Sequence, residues 1–215
     1  MNPQLLCNSM KSLRDLCVLR GDRLLAGLLV LLVALLAGCE KPKLPSPFHA
    51  SDIGAMFTQA DFRLTDHNGK TRTLADFRGK AVALFFGYTQ CPDVCPTTLA
   101  DLAQAMRLLG KDADRVQVLF ITVDPERDTP ELLAQYVPAF HPSFLGLYGD
   151  AQATAQAAKA FYVGYDKRPT ASGYNMDHSV GTFLVDPSGK VRLRAPHAQS
   201  ADRFAGDIRL LLGGA

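Results

Sequence analysis

The sequence predicts an α/β fold in which a central mixed sheet is flanked by helices, with an extra hairpin on the N-terminal side. A continuous apolar run at residues 81–87 and a largely apolar run at residues 116–123 are typical of strands that are buried in a sheet. Helix start signals follow each run, and this alternation favours a layered α/β architecture. The 215 residues are 47% hydrophobic and 20% charged, which provides enough apolar mass for one packed domain.

A short hairpin precedes the first apolar run. Residues 61–65 and 71–74 are strand-like, and they flank the tetrapeptide Asp66-His67-Asn68-Gly69. The Asn-Gly pair supplies the positive φ angles that a tight hairpin turn requires. His67 is therefore interpreted as a turn residue. This is the extra N-terminal hairpin of the predicted fold.

The helices are predicted from residues that favour helix ends. The first begins at Pro96, which suits a first helical position, and it ends at Gly110. The second begins in Asp128-Thr129-Pro130-Glu131 and ends before Pro138, and the third is capped by Asp150. The other predicted elements are a strand at 144–148, a loop at 164–177, a hairpin of strands 182–185 and 191–194, and a last helix at 201–212.

The charge balance argues against a nucleic-acid-binding function. Lys and Arg number 23 and Asp and Glu number 21, which gives a net charge of +2. The excess of cations lies before residue 39, so the rest of the chain carries equal numbers of cations and anions. A neutral domain lacks the basic surface that a phosphate backbone requires. The sequence also has no glycine-rich phosphate loop, so nucleotide chemistry is not indicated.

The N-terminal segment resembles a bacterial export signal. Residues 24–38 form an uncharged apolar run preceded by Arg20 and Arg23. As a helix this run is about 22 Å long, short of the roughly 30 Å hydrocarbon core of a bilayer, so it is typical of a signal peptide. The next residues, Leu36-Ala37-Gly38-Cys39, resemble the lipobox at which a Cys thiol receives a lipid. An uncleaved signal anchor is the alternative.

These features predict three regions along the chain. Residues 1–38 are a signal peptide with a lipobox, residues 39–50 are a lipidated, proline-rich tether, and residues 51–215 are the folded domain. Cys39 is the expected site of lipidation. The protein is then expected on the periplasmic side of a bacterial cell, anchored to a membrane as a lipoprotein.

Cys91 and Cys95 are the only thiols expected in the mature domain. The other three cysteines lie in the leader or the lipobox: Cys7, Cys17 and Cys39. A disulfide that closes so short a loop removes little chain entropy, so a purely structural role is disfavoured. Both residues lie near the start of a predicted helix, where unpaired N–H groups favour the thiolate. The pair is predicted to serve redox chemistry or to bind a soft metal ion, although three residues separate the thiols instead of the two in thioredoxin-type oxidoreductases.

Three motifs strongly resemble the Sco/SenC family. They are GYTQCPDVCPTTL at 87–99, VDPERDTP at 123–130 and DHS at 177–179, and the resemblance runs from about residue 62 to residue 194. It implies a thioredoxin-like fold and a membrane tether outside the cytoplasm. It also implies that the protein binds copper and assists assembly of the dinuclear copper centre of cytochrome c oxidase. By this resemblance, Cys91, Cys95 and His178 are the copper ligands.

The donor set agrees with this inference. Two thiolates and one imidazole form a soft set of low coordination number that suits Cu(I), whereas a structural zinc ion normally requires four ligands. Cu(I) is therefore the expected form of the metal, with Cu(II) as the alternative. The other histidines have no such support and are expected at the surface: His49, His67, His141 and His197.

Several residues near the motifs have open roles at the level of sequence. Asp177 either orients the imidazole of His178 or serves as a turn residue. Met176 is a soft donor but is expected to pack. Asp93 either tunes the thiols or contacts a partner. Residues 124–128 are expected to form a strand-to-helix loop with its helix cap.

Two functions are compatible with the site. In the first, the protein is a copper chaperone whose open coordination lets a target thiolate replace a bound one. In the second, Cys91 and Cys95 are a redox-active pair that reduces the cysteines of the oxidase copper centre, which does not need His178. The two functions can coexist. The implied partners are the copper-binding subunit of cytochrome c oxidase, a copper donor protein, a thiol reductant, and the membrane through the lipid anchor, but no nucleic acid.

Two other classes of protein share features with this sequence. A peroxidase of the peroxiredoxin type is disfavoured, because Pro92 stands where such an enzyme has a Thr three residues before its reactive Cys. A copper store or sensor is a further alternative. It would bind copper, yet its loss would leave oxidase assembly intact.

Overall fold

The computed structural model describes residues 46–57, 59–171 and 173–213. The predicted signal peptide, the lipobox with Cys39, and most of the tether lie outside the described residues, as do Cys7 and Cys17. The unit Ser46–Ala215 is compact. Within the described ranges, no helix is both long enough and apolar enough to cross a membrane.

The described residues contain ten strands: β1 Ser51–Asp52, β2 Leu64–Asp66, β3 Thr71–Arg72, β4 Ala81–Gly87, β5 Val116–Thr122, β6 Leu145–Tyr148, β7 Tyr165–Thr170, β8 Gly173–His178, β9 Thr182–Val185 and β10 Val191–Ala195. Eight of them form one sheet in the order β1-β10-β9-β4-β5-β6-β2-β3. β4, β5 and β6 are parallel neighbours. The other neighbours in this sheet are antiparallel. The sheet is therefore mixed, as predicted.

The centre of the sheet is built from the two apolar runs. β4 and β5 pair from Ala81 opposite Val116 to Gly87 opposite Thr122. Every residue of both strands is buried. Strands that are covered on both faces have continuous apolar sequences, and the prediction of both strands is confirmed.

The helices flanking the sheet are α1 Val94–Leu109, α2 Pro130–Tyr136, α3 Ala151–Ala160 and α4 Ala201–Leu212. α1 begins at Val94 rather than at Pro96, and it ends at Gly110, whose φ of 58° suits glycine. The side chains of Thr129 and Asp150 cap α2 and α3. α1 and α4 pack against each other. Short 3₁₀ helices lie at Gly54–Met56, Leu74–Phe77 and Gly110–Arg115.

The core lies between the sheet and the helices. Its largest fully buried side chains include six phenylalanines: Phe85, Phe86, Phe120, Phe144, Phe161 and Phe204. Each contributes about 1.5–3 kcal/mol through burial of apolar surface. A fragment that begins at Ser46 keeps all of these residues and the complete eight-stranded sheet, so it retains what holds the domain together.

The hairpins β2–β3 and β9–β10 have the same turn chemistry. Asp66 accepts hydrogen bonds from the N–H groups two and four residues further on and from Nε of Arg72 at 2.8 Å. Asp186 accepts the same two N–H bonds, and its carboxylate lies 3.5 Å from Arg192. Each turn contains a glycine with positive φ, 83° in the first and 85° in the second. The predicted N-terminal hairpin is confirmed.

The predicted loop at 164–177 is wrong. This segment forms the antiparallel hairpin β7–β8, which is a separate two-stranded sheet. β7 is exposed along most of its length, so its sequence lacks the apolar alternation by which strands are recognised. In β8 the covered residues are Tyr174, Met176 and His178, one face of the strand. The two-residue strand β1, which pairs with β10, was also not predicted.

Candidate metal centre

The two thiols lie where β4 ends and α1 begins. Cys91 is half-buried in the connecting turn, and its N–H donates to the carbonyl oxygen of Tyr88 at 3.2 Å. Cys95 lies in the first turn of α1 and is fully buried. The predicted placement of the pair, at a turn into a helix, is confirmed. In open α/β sheets this carboxyl end of the strands is where ligands bind.

The two thiols differ in acid strength. Neither forms a disulfide. The thiol of Cys95 donates a hydrogen bond to the sulfur of Cys91, which lowers the pKa of Cys91 to about 5 although burial opposes this. The same hydrogen bond, together with burial, raises the pKa of Cys95. At neutral pH, Cys91 is therefore the thiolate and Cys95 keeps its proton.

His178 approaches the thiols from the end of β8. Its Nε2 lies 3.9 Å from Sγ of Cys95. Its Nδ1 lies 3.2 Å from the carbonyl oxygen of Ser179, to which only a protonated Nδ1 can donate. This contact leaves Nε2 of the neutral ring unprotonated, as a metal ligand must be. The rings of Tyr88 and Phe85 meet the imidazole edge to face, with centroids at 6.0 Å and 6.3 Å.

The structure brings the three predicted ligands to one place without forming a closed metal cage. Across the described residues, no three His, Cys, Asp or Glu side chains are clustered tightly enough to hold a metal ion. The pair of Cys95 and His178 nevertheless fits a shared ion. The 3.9 Å between Sγ of Cys95 and Nε2 of His178 is short enough that both atoms could bind one ion.

A buried carboxylate supports the turn that carries the thiols. Asp128 accepts hydrogen bonds from the N–H and the hydroxyl of Thr89, at 3.0 Å and 2.6 Å, and from the hydroxyl of Thr122 at 2.6 Å. Burial raises its pKa. The sequence predicted residues 124–128 only as a loop with a helix cap, whereas the cap is Thr129 and Asp128 joins the end of β5 to the cysteine turn. The VDPERDTP motif was the signal that could have revealed this role.

The open roles near the motifs are now defined by contacts. Asp177 is exposed and pairs with Arg168 at 3.4 Å, so it does not orient the imidazole. Met176 is buried and packs in the core, as predicted. Asp93 precedes α1, and its side chain makes no capping hydrogen bond.

The other four histidines have separate roles. His49 and His197 are exposed, as predicted, and the backbone and ring of His49 bond to the buried Asp207. His141 is half-covered and its ring contacts a nearby hydroxyl. His67 is a turn residue as predicted, but it is also half-covered, since its Nδ1 accepts a hydrogen bond from the N–H of Gly146 at 3.0 Å.

Comparisons with known proteins place this chain in a family. The sequence model of SCO1/SenC matches residues 51–213. The mitochondrial SCO2 homolog of Bos taurus is 44% identical over 155 residues, which is 70% of this chain and 58% of that relative. The chain thus spans less than two thirds of the length of this curated relative.

Solved structures show the same fold. Bradyrhizobium japonicum ScoI with copper bound is 40% identical with a TM-score of 0.66, over 71% of this chain and 98% of that chain. Apo Sco1 from Thermus thermophilus is 41% identical with a TM-score of 0.68, over 76% of this chain and 96% of that chain. The predicted fold class is therefore confirmed. The chain belongs to the SCO1/SenC family and has its thioredoxin-like α/β fold.

Proposed function

We propose that this protein is a tethered, extracytoplasmic copper chaperone that assists assembly of the dinuclear copper centre of cytochrome c oxidase. It binds one copper ion through Cys91, Cys95 and His178. Membership of a family of copper-binding oxidase assembly proteins supports this. The observation that carries the proposal is the 3.9 Å approach of the imidazole Nε2 to the buried thiol, beside a thiolate of low pKa. Thiolate and imidazole are donors that copper prefers.

The arrangement is suited to transfer by ligand exchange. Cys95 is fully buried, whereas Cys91 and His178 are partly exposed. A thiolate of the copper-binding oxidase subunit can approach the ion from this exposed side. It bonds to the ion before one of the three original ligands leaves, so the ion is never released to water. A copper donor protein loads the site by the reverse exchange.

The test is a Cu(I) titration of the reduced fragment that begins at Ser46, in competition with a chelator. This fragment lacks the three N-terminal cysteines, so each of its thiols belongs to the site. We expect one tightly held ion in the parent, no tight binding in Cys91→Ser, and affinity about tenfold or more weaker in His178→Ala. His141→Ala is the control histidine and should bind like the parent. Binding that is indifferent to His178→Ala contradicts the three-ligand site.

A thiol–disulfide oxidoreductase is the second candidate, and the unequal thiols favour it. The Cys91 thiolate attacks one sulfur of a target disulfide, the S–S bond breaks, and one target thiolate leaves. Cys95 then loses its proton and attacks the sulfur of Cys91, which releases the second target thiolate. The target gains two electrons and a Cys91–Cys95 disulfide is left. A thiol reductant must then reduce this disulfide.

Reduction of a peptide that carries the disulfide of the oxidase copper centre tests this second function. The reduced fragment should convert one equivalent of peptide. His178→Ala should retain the reaction, because the imidazole takes no part in it, and Cys91→Ser should lose it. Cys95→Ser should accumulate the mixed disulfide. A parent fragment that leaves the peptide oxidised excludes the oxidoreductase and leaves the chaperone.

The location of the protein is part of the proposal. Its support is the leader sequence, in which a short apolar run ends in a lipobox at Cys39. After cleavage the lipid on Cys39 anchors the protein to a membrane, with the folded domain on the periplasmic side of a bacterial cell. This places the copper site in the compartment where the oxidase copper centre would be assembled.

A further inference from the structure

His178 is carried by a hairpin that does not belong to the main sheet. Among the strands that the structure describes, β7 and β8 pair only with each other, so the position of the imidazole depends on what fixes this hairpin to the domain. At its base, Gly164 and Ser179 bond to each other at 2.8 Å and 3.1 Å, which closes the hairpin but does not tie it to another element. Three contacts tie the hairpin to the rest of the domain: Met176 packs in the core, Lys167 pairs with Glu126, and Tyr174 hydrogen-bonds to the loop after β5.

Arg127 contacts both the hairpin and the turn that carries the thiols. Its Nη1 donates to the carbonyl oxygen of Tyr174 at 2.8 Å and to Oε1 of Gln90 at 3.1 Å. Its guanidinium lies over the Tyr174 ring, 3.7 Å from the centroid, and 5.7 Å from the centroid of Tyr88. Gln90 directly precedes the first thiol, and Tyr174 lies on the same face of β8 as the imidazole. The Arg127 side chain therefore connects the hairpin that carries His178 to the turn that carries the thiols.

Asp124 holds both partners of this contact. Its carboxylate accepts hydrogen bonds from Nε of Arg127 and, at 2.9 Å, from the hydroxyl of Tyr174. Asp124 is buried, and its own N–H donates to the hydroxyl of Thr122 at 2.9 Å, which anchors it to the end of β5. Tyr174 is thus held at its carbonyl oxygen, its ring face and its hydroxyl. We call Asp124, Arg127 and Tyr174 the clamp.

We infer that Arg127 is a positioning residue of the proposed copper site, and that the clamp sets the distance between the His178 imidazole and the two thiols. This inference rests on the proposed function. Tyr174 and His178 are four residues apart on one strand, about 13 Å, so a small tilt at the clamp displaces the imidazole. A planar guanidinium can stack on a ring while it donates in two directions, which the ammonium of lysine cannot do.

A double-mutant cycle of Cu(I) affinity tests the inference. The reduced fragment from Ser46 is titrated as the parent, Arg127→Met, His178→Ala and the double variant. If Arg127 acts through the imidazole, Arg127→Met weakens binding about tenfold in the parent but by less than about twofold in the His178→Ala background. The Cu(I) affinity of Arg127→Lys should lie between those of the parent and Arg127→Met.

Two results would overturn the inference, and they differ from failure of the proposed function. In the first, Arg127→Met leaves the Cu(I) affinity unchanged. In the second, the loss of affinity in Arg127→Met adds fully to the loss in His178→Ala, which would mean that Arg127 acts on the thiols or on general stability. In both cases His178→Ala still weakens binding. If His178→Ala itself has no effect, the proposed three-ligand site fails, and the positioning role fails with it.

Hydrogen–deuterium exchange of the metal-free fragment supplies a readout that does not depend on copper. Arg127→Met should speed exchange of the β7–β8 amides while those of β4 and β5 stay protected. Arg168→Met is the matched control, because this arginine lies on the same hairpin and pairs with two exposed carboxylates, those of Asp166 and Asp177. If Arg127→Met does not fold, Tyr174→Phe, which loses only the hydroxyl bond to Asp124, should give a smaller shift in the same direction. Unchanged exchange in the hairpin contradicts the clamp.

Discussion

At the scale of single residues, the acid strength of Cys91 has a kinetic consequence. With a pKa of about 5, this thiol is ionised at neutral pH, whereas an ordinary cysteine with a pKa of about 8.5 is mostly protonated. We expect iodoacetamide to modify Cys91 at a rate that rises through a midpoint near pH 5. Cys95 should stay unmodified because it is fully buried. Timed labelling followed by peptide mass spectrometry measures both rates.

The hydrogen bond between the thiols can be removed to check its cause. Cys95→Ser replaces the thiol donor by a hydroxyl of different length and acidity, and Cys95→Ala removes the donor altogether. The labelling midpoint of Cys91 should move to higher pH in Cys95→Ala, because the largest cause of its low pKa is that hydrogen bond. In the denatured parent chain, the labelling rates of Cys91 and Cys95 should both rise through a midpoint near the ordinary cysteine pKa of about 8.5. An unshifted midpoint in Cys95→Ala would show that the bond between the thiols is not the cause.

Gly87 leaves no room for a side chain beside Cys95. A Cβ at this position would lie 2.8 Å from ring atoms of Phe85 and Phe120 and 2.9 Å from Sγ of Cys95. We expect Gly87→Ala to lower the free energy of unfolding by about 1–3 kcal/mol, the usual cost of overpacking a core. We also expect it to displace Cys95 and so weaken Cu(I) binding. Urea unfolding and chelator competition measure the two effects.

Gly206→Ala is the matched control for this substitution. Gly206 lies in α4, where a Cβ would meet nothing closer than a ring atom of His49 at 3.6 Å. Alanine favours a helix over glycine by about 1 kcal/mol, so this variant should be more stable than the parent. Equal losses of stability in both variants would argue against the steric explanation.

At the scale of elements, the shared turn chemistry of β2–β3 and β9–β10 makes stability depend on pH. Burial alone would raise the pKa of Asp66 and Asp186, but hydrogen bonds from the turns and from neighbouring arginines outweigh it, so both pKa values are lowered. Such a carboxylate stabilises the fold above its unfolded pKa of about 3.9, and the contribution is lost as the pH falls through the folded pKa. Asp66→Asn and Asp186→Asn should each lower the free energy of unfolding by about 1–3 kcal/mol at neutral pH.

Urea unfolding at a series of pH values tests this prediction for both hairpins. The difference in unfolding free energy between each variant and the parent should narrow as the pH falls below about 4, because the carboxyl of the unfolded parent then gains a proton. It should vanish only below the lowered folded pKa, where the folded parent is protonated as well. Asp114→Asn serves as the control, since Asp114 is exposed, and it should change stability little at any pH. If the Asn variants lose the same unfolding free energy at acid and neutral pH, the charge of the carboxylate does not stabilise the turns.

The elements that could be predicted from the sequence are those whose pattern records their burial. β4, β5 and α4 are covered on a constant face or on both faces, and their limits were predicted to within a residue or two. The hairpin β7–β8 was missed because an exposed ribbon of polar residues has no such pattern. Its strands pair with each other, and it docks onto the loop after β5 through contacts between distant parts of the chain.

The functional site was likewise predicted only in part. The thiols and the histidine were predicted because motifs mark them, and the structure places Cys95 and His178 in contact. The supporting contacts of Asp128 and Arg127 were not predicted. Both reach across the fold to residues 37 to 47 positions away, and no local spacing reveals such a contact.

At the scale of the whole molecule, the proposed lipid anchor predicts how the protein divides between membrane and soluble fractions. Cys39 lies outside the described residues, so this prediction depends on the lipobox alone. Expressed in a bacterium, the full chain should incorporate labelled fatty acid and stay with the membranes in high salt. Cys39→Ser should lose the label. An uncleaved signal anchor would instead leave the parent unlabelled and the variant still bound to the membrane.

Because Cys95 is buried, a partner protein reaches the proposed ligands from the side on which Cys91 and His178 are partly exposed. A protein that loads copper and a protein that receives it both need this side, so they must bind in turn. Under the proposed function the domain is then a shuttle rather than a channel, and each delivery includes the dissociation of one complex before the next can form. Excess unloaded donor would compete with the oxidase subunit and slow delivery, even while copper remained abundant.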